Sequence, residues 1–242
     1  SEVHFYCEKC LAYLGISAHC PSHCTFCNTG FHANRGLKNG FSFLVIPLHA
    51  HIKLLQEYDV SLTEKTRSFG LLTDIQSGGE YQKLCDNGVL GKDDLTLIWN
   101  CDCATVFKSS KCSIWPIQCQ VIELEPEIRK RHILISALWF GPAKPSIITL
   151  LKPFVKEASL LETEGISKVF VLICSSDSVA RPLFRNTNQS NGFYGCDFCL
   201  YRGGKSYPYE QPEPLLRNKR DHFSHAMSGT TNEPVKGPWL NS

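Results

Sequence analysis

Two Cys-x-x-Cys pairs, Cys7/Cys10 and Cys24/Cys27, stand near the start of the chain with thirteen residues between them. No other feature limits the fold so tightly. A Cys-x-x-Cys turn presents two thiolates on one side, and two such turns complete the tetrahedron that zinc takes. A segment of about 30 residues buries too little apolar surface to fold alone, so a metal there acts as a staple. His19, Cys20 and His23 are spare ligands. Because Cys20 precedes Cys24 by four positions, the register of the second pair stays open. The thirteen cysteines are an odd number, and SEVHFYCEKC has neither a basic nor an apolar signal region. Both argue against a secreted disulfide framework, and a reducing compartment, cytosol or nucleus, is expected.

The 242 residues are 43% hydrophobic, enough for one sizeable core or a core with a small satellite. The net charge of +2 gives no argument for a nucleic-acid partner, which would need local basic patches. No run approaches the roughly 18 to 20 apolar residues that span a bilayer, so no membrane partner is expected. The chain opens on a cysteine motif and stops at KGPWLNS, and reads as a piece of a longer protein.

Four segments follow from texture. Residues 1–36 form the zinc-knuckle module. Residues 37–92 are a connecting α+β region, with a strand-like run Phe41 to Ile46, a helix from Leu48 to about Tyr58 and a helix near Glu80 to Asn87. Residues 93–205 carry the main core. LTLIWNCD, SIWPIQCQVIEL and HILISALWFG read as three strands, with Pro116 marking a bulge or an edge. IITLLKPFVKEASLLE is helical, with Pro153 set to kink it or reset its start. ISKVFVLICSSD is a fourth strand. The class is therefore α/β. Residues 206–242 are a loop-rich segment.

The first and fourth of those strands end on aspartates, Asp102 and Asp177. In an open sheet, strand ends at one edge converge, so carboxylates 75 positions apart can meet. Two of them can hold two divalent cations for an in-line phosphoryl displacement, and hard oxygen ligands suit Mg²⁺ or Mn²⁺. The plainer role of a strand-end aspartate is a turn or cap. Cys196-x-x-Cys199 is a half-site for a second zinc, with His222 and His225 the nearest complementary pair. A zinc deaminase is excluded. No histidine is followed two places on by glutamate, and Gly195 stands where that chemistry has a proline.

Asp102, Lys108-Ser109-Ser110 and Trp115-Pro116-Ile117 resemble the first-aspartate block of CACTA/En-Spm-type DNA transposases. The second block is similar too: Asp177, Val179-Ala180-Arg181, then Gly192-Phe193-Tyr194-Gly195-Cys196, Cys199 and Arg202-Gly203. A knuckle pair ahead of the core also fits. Cys103 stands where the family has glycine, and Val179 where it has proline. The resemblance implies an RNase H-like mixed sheet behind a small zinc-ribbon-like module. It makes Asp102 and Asp177 the first two members of an acidic triad that cuts and transfers DNA at transposon ends, in the nucleus, with Mg²⁺ or Mn²⁺. The third acid should follow the Cys-x-x-Cys insertion. Glu210, Glu213 and Glu233 sit in proline-rich sequence, so this piece lacks that ligand and is expected to be inactive alone.

Phosphate contacts are assigned to Lys108 and Lys111 beside the first aspartate, to Arg129, Lys130 and Arg131 at an expected hairpin tip, and to Arg202. Trp99 and Trp115 are expected in the core. A homo-oligomer is allowed. The alternative is a domesticated, non-catalytic relative that binds DNA or protein through its zinc modules. A plain zinc-binding interaction domain without transposase ancestry is the third reading.

Overall fold

A hairpin that the sequence pattern did not announce begins the chain. In the computed structural model, which describes residues 1–57, 72–105, 112–142, 144–165, 167–185, 187–189, 191–203, 214–218 and 220, β1 (Glu2–Tyr6) pairs antiparallel with β2 (Tyr13–Ile16). The first cysteine pair forms the turn between them. Phe5 and Tyr6 are fully buried, and their burial makes this short segment a strand. Chain connectivity then runs through α1 (Ala33–Asn39), β3 (Ser42–Val45), α2 (Leu48–Glu57), α3 (Gly79–Asp86), β4 (Leu95–Cys101), β5 (Ala104–Thr105), β6 (Ser113–Val121), α4 (Pro126–Arg131), β7 (Leu134–Gly141), α5 (Ile147–Thr163), β8 (Val169–Ser175) and α6 (Arg181–Arg185). Two compact units divide it, Ser1–Ser175 and Ser176–Ser242.

The first unit is α/β and holds one mixed sheet, in the order β2-β1-β3-β7-β6-β4-β8, with β5 paired to β6. β3 links the knuckle segment to the later strands by pairing with β1 on one side and β7 on the other. β4 and β8 are parallel; the other neighbours are antiparallel. A parallel pair needs a long crossover, and α5 supplies it between β7 and β8.

Helices pack on both faces of the sheet. β6 alternates, burying Trp115, Ile117, Cys119 and Val121 on one side. Phe154 of α5 meets Trp99 edge-on, with ring centroids 4.7 Å apart, so both expected core tryptophans are buried. Tyr81 of α3, with Leu90 and Ile122, packs against Ile98, Phe170 and Leu172. Ser146 caps α5 by accepting from the Thr149 amide. The helix runs unbroken through Pro153, so the expected reset does not occur. The missing amide hydrogen there is offset by burial of the ring among the core residues of the helix.

Pro116 lies in an interior strand, not at an edge. Ladder pairs reach Cys101↔Ile117 on one side of it and Ala104↔Ile114 on the other. Proline, which has no amide hydrogen, thus falls in the gap where Asp102 and Cys103 leave the ladder. The bulge expected there lies one residue on, between Ile117 and Gln118 against β7.

A buried polar cluster closes the end of the sheet beyond β6. Glu123 accepts from the Tyr81 hydroxyl at 2.9 Å, the Thr96 hydroxyl at 2.6 Å and the Thr96 amide at 3.0 Å. Arg129 makes a two-pronged pair with Asp74, at 2.9 and 2.6 Å, and holds that carboxyl below its ordinary range. Among the described residues, no helix is long and apolar enough to cross a membrane.

Candidate metal centre

The four thiols of Cys7, Cys10, Cys24 and Cys27 converge, with all four sulfurs within 4.8 Å of one another. Both turns are built alike. The amide of Leu11 donates to the Cys7 carbonyl at 3.0 Å, and that of Asn28 to the Cys24 carbonyl at 2.9 Å. The residue after each second cysteine is left-handed, Leu11 at φ 60° and Asn28 at φ 56°. That conformation is costly for a side chain as large as leucine, and its use here aims both thiols of each pair the same way.

Cys7 and Cys27 stand 3.5 Å apart, as do Cys10 and Cys24. A disulfide needs about 2.05 Å, so these are free thiols. Four Zn–S bonds of about 2.3 Å in a tetrahedron give S···S edges of about 3.8 Å, between the 3.5 Å of the two close pairs and the 4.8 Å that bounds the whole cluster. It could hold a metal such as zinc. Four protein ligands leave no open position, so the site is structural in kind. The thiols are not equivalent. The Thr29 hydroxyl and amide pull Cys27 down to about 6, while desolvation pushes Cys7 up.

The register of the second pair is therefore Cys24/Cys27. Cys20 packs against the small core of Phe5, Leu14 and the buried thiols. His23 lies 3.1 Å from the Ser22 hydroxyl. Neither these two nor His19 joins the cluster.

At the other end of the first unit, β4 and β8 run the same way, with Asn100 opposite Ser175. Their C-terminal ends thus share one edge of the sheet. Asp102 follows β4, is exposed, and accepts from the Cys103 amide at 2.6 Å. In the second unit, Asp177 is also exposed. Its Oδ1 accepts from the amides of Val179 at 2.9 Å and Ala180 at 2.6 Å, and its carbonyl accepts from Arg181, so it caps the entry to α6. Among the described residues neither carboxylate has a cationic partner. Lys108 and Lys111 lie outside the described residues.

The second unit carries the other knuckle. The Phe198 amide donates to the Cys196 thiol at 3.4 Å. Desolvation pushes Cys199 up, whereas Cys196 is lowered, desolvation there being outweighed by hydrogen bonds from Phe198 and Cys199. Arginines brace the turn. Arg181 and Arg185 reach the Asp197 carboxylate at 2.7 and 3.3 Å. Arg217 donates to the carbonyls of Cys196 at 2.8 Å and Tyr194 at 2.5 Å. Among the described residues no third ligand joins Cys196 and Cys199, and His222 and His225 lie outside them.

The basic run splits. Arg129 lies in the connection between the antiparallel strands β6 and β7, as expected, but in a helix and turned away from solvent. It belongs to α4, its side chain is 7% exposed, and besides Asp74 it donates to the carbonyls of Val121, Ile122 and Leu124. No phosphate can reach it, which corrects the assignment made from sequence. Nothing in the local sequence separates it from its neighbours, because its partner is 55 positions away. Lys130 and Arg131 are exposed, Lys130 pairing with Glu127 at 2.8 Å. Arg202 is exposed and lies over the Phe193 ring, 5.4 Å from its centroid. No protein-family model matches this chain, and no curated protein matches it.

Proposed function

We propose that this chain is part of a transposase catalytic region with an RNase H-like core, fastened by a structural zinc at Cys7, Cys10, Cys24 and Cys27. Asp102 and Asp177 are its first two acidic ligands. The observation that carries this reading is the strand plan of the first unit. Three antiparallel strands, β7-β6-β4, are followed through α5 by β8, which lies parallel to β4 with Asn100 opposite Ser175. An exposed aspartate comes two residues after each member of that last pair. Mg²⁺ or Mn²⁺ held there would activate a water or 3′-hydroxyl and stabilise the leaving oxygen at a DNA phosphate. The substrate is DNA at transposon ends, cut and transferred by the intact protein in the nucleus.

One observation favours the non-catalytic alternative for this piece. Beyond Asp177 the remaining described acid is Asp197, and Arg181 and Arg185 hold it. Glu210, Glu213 and Glu233 lie outside the described residues. The test is therefore one of metal binding, not of turnover. Fe²⁺ with ascorbate and peroxide, used in place of Mg²⁺, should cleave the backbone near both 102 and 177. Asn substitution at either aspartate should abolish both cuts together. Cutting at one position only, or at neither, overturns the proposal.

A further inference from the structure

We infer that the face of the second unit around Cys196 and Cys199 binds single-stranded DNA, with unpaired bases stacking on Phe193 and Phe198 and phosphates meeting Arg202, Arg181 and Arg185. This deepens the transposase reading, and rests on it for the choice of DNA.

Two aromatic rings are displayed where burial would ordinarily be expected. Phe193 is 62% exposed and Phe198 is 75% exposed. Both are held on rigid backbone. Phe198 stands inside the Cys-x-x-Cys turn, its amide tied to the Cys196 thiol and its carbonyl accepting from the Arg217 amide at 2.8 Å. The Phe193 carbonyl accepts from the Asn188 side chain at 2.8 Å, and the Tyr194 amide donates to the Arg202 carbonyl at 2.8 Å. Gly203, at φ 89°, closes this loop; a Cβ there would sit 3.2 Å from the Gly192 carbonyl oxygen. A backbone held in this way presents both rings without first having to be ordered.

The charge around them suits a polyanion. Among its described residues the second unit has five arginines (181, 185, 202, 217 and 220) and two aspartates (177 and 197). Arg181 and Arg185 share the Asp197 carboxylate, yet their side chains remain 41% and 37% exposed. One carboxylate between two guanidiniums leaves a positive surplus facing solvent. Arg202 already lies on the Phe193 ring, which offers a base either the free ring face or the guanidinium plane. Stacking needs unpaired bases, which selects single strands over duplex.

The experiment measures fluorescence anisotropy of labelled oligothymidine, and of a duplex of equal length, with the full chain across a salt series. Phe193→Leu and Phe198→Leu keep apolar bulk and remove the ring. Each should weaken oligothymidine binding roughly 5- to 100-fold and duplex binding by less than about twofold. Arg202→Ala should flatten the salt dependence by about one phosphate contact. Zinc content and circular dichroism verify that each variant is folded, and a variant that fails them is replaced by Phe→Met at the same position. Leucine variants that bind like the wild type overturn the proposal. So does a wild-type chain that prefers no nucleic acid to polyglutamate, the result expected of a protein-docking patch. A wild-type chain that binds oligothymidine but shows no iron cutting fails the catalytic reading and not this one, and the reverse pattern fails this one alone.

Discussion

The chain writes the same Cys-x-x-Cys motif at 7–10, 24–27 and 196–199, and among the described residues its surroundings are of two kinds. The first two turns face each other and bring four sulfurs within 4.8 Å, and the first of them follows directly on β1. The third has two sulfurs among the described residues. Its frame is arginine: Arg217 on two carbonyls, Arg181 and Arg185 on the carboxylate between the cysteines. A Cys-x-x-Cys motif therefore specifies a local bend and two thiols on one side, but not what closes around them. In the N-terminal region the closing element is more sulfur, joined to a sheet. Among the described residues of the second unit it is a set of arginine hydrogen bonds and ion pairs, with Phe193 and Phe198 exposed beside them.

The largest expected effect breaks this contrast if it is false. Chelation of the bound metal, or Cys24→Ser, should unfold the knuckle segment, because metal binding of this kind carries on the order of 10 kcal/mol of folding free energy. β1 is paired to β3 and β3 to β7, so the loss should spread into that side of the sheet. Amide hydrogen exchange should show protection collapsing in β1, β2 and β3 and persisting longest in β4 and β6. Cys196→Ser should leave exchange in Ser1–Ser175 unchanged. Equal damage from the two substitutions would mean that the turns are fastened alike.

Arg217→Ala tests the arginine frame directly. It strips two carbonyl oxygens of a donor, a change that costs about 1 to 3 kcal/mol when the groups stay dry. Arg217→Lys should rescue little of this, since an ammonium cannot reproduce the guanidinium fork that spans the Tyr194 and Cys196 carbonyls. Urea denaturation followed by Tyr194 and its neighbours, through amide exchange or a local probe, reads the loss. A knuckle that tolerates Arg217→Ala would have to be held by its cysteines instead.

Much of the first unit was legible because its signals are local. The runs at 95–101, 113–121, 134–141 and 169–175 are apolar or alternating at the period of two, and each is a strand. β1 and β2 were not legible. Their residues are buried by partners from β3 and by the metal module, neither of which marks the hairpin itself. The open register at Cys20 and Cys24 was closed by geometry, because both spacings are compatible with a turn and only one lets the sulfurs meet. Arg129 failed for a related reason: three basic residues in a row look alike until Asp74, 55 positions away, selects one. The aromatic display at Phe193 and Phe198 was hidden by the usual inference that a phenylalanine is core. What betrays it in the sequence is position: one sits inside a cysteine turn, the other just ahead of it.

Acid offers the gentlest separation of the two regions. His4 on β1 is buried between Tyr13, whose hydroxyl lies 2.8 Å from Nδ1, and the Phe43 ring. Burial lowers its pKa below the ordinary 6.5, although Glu2 and Glu157 pull upward and Lys156 adds to the lowering. His51 of α2, with Nε2 2.9 Å from the Ile135 carbonyl oxygen, is lowered by burial in the same way. The unfolded chain therefore binds more protons than the folded one as pH falls through 6.5, and stability drops with it. Asp74, held low by Arg129, adds a further loss only below its ordinary 3.8. The described residues of the second unit contain no histidine. Between pH 7 and 5 the first unit should lose stability while the 196–199 turn does not. His4→Gln should flatten the slope of unfolding free energy against pH in the first unit. A slope that His4→Gln and His51→Gln both leave intact would mean that acid acts on the thiol cluster alone.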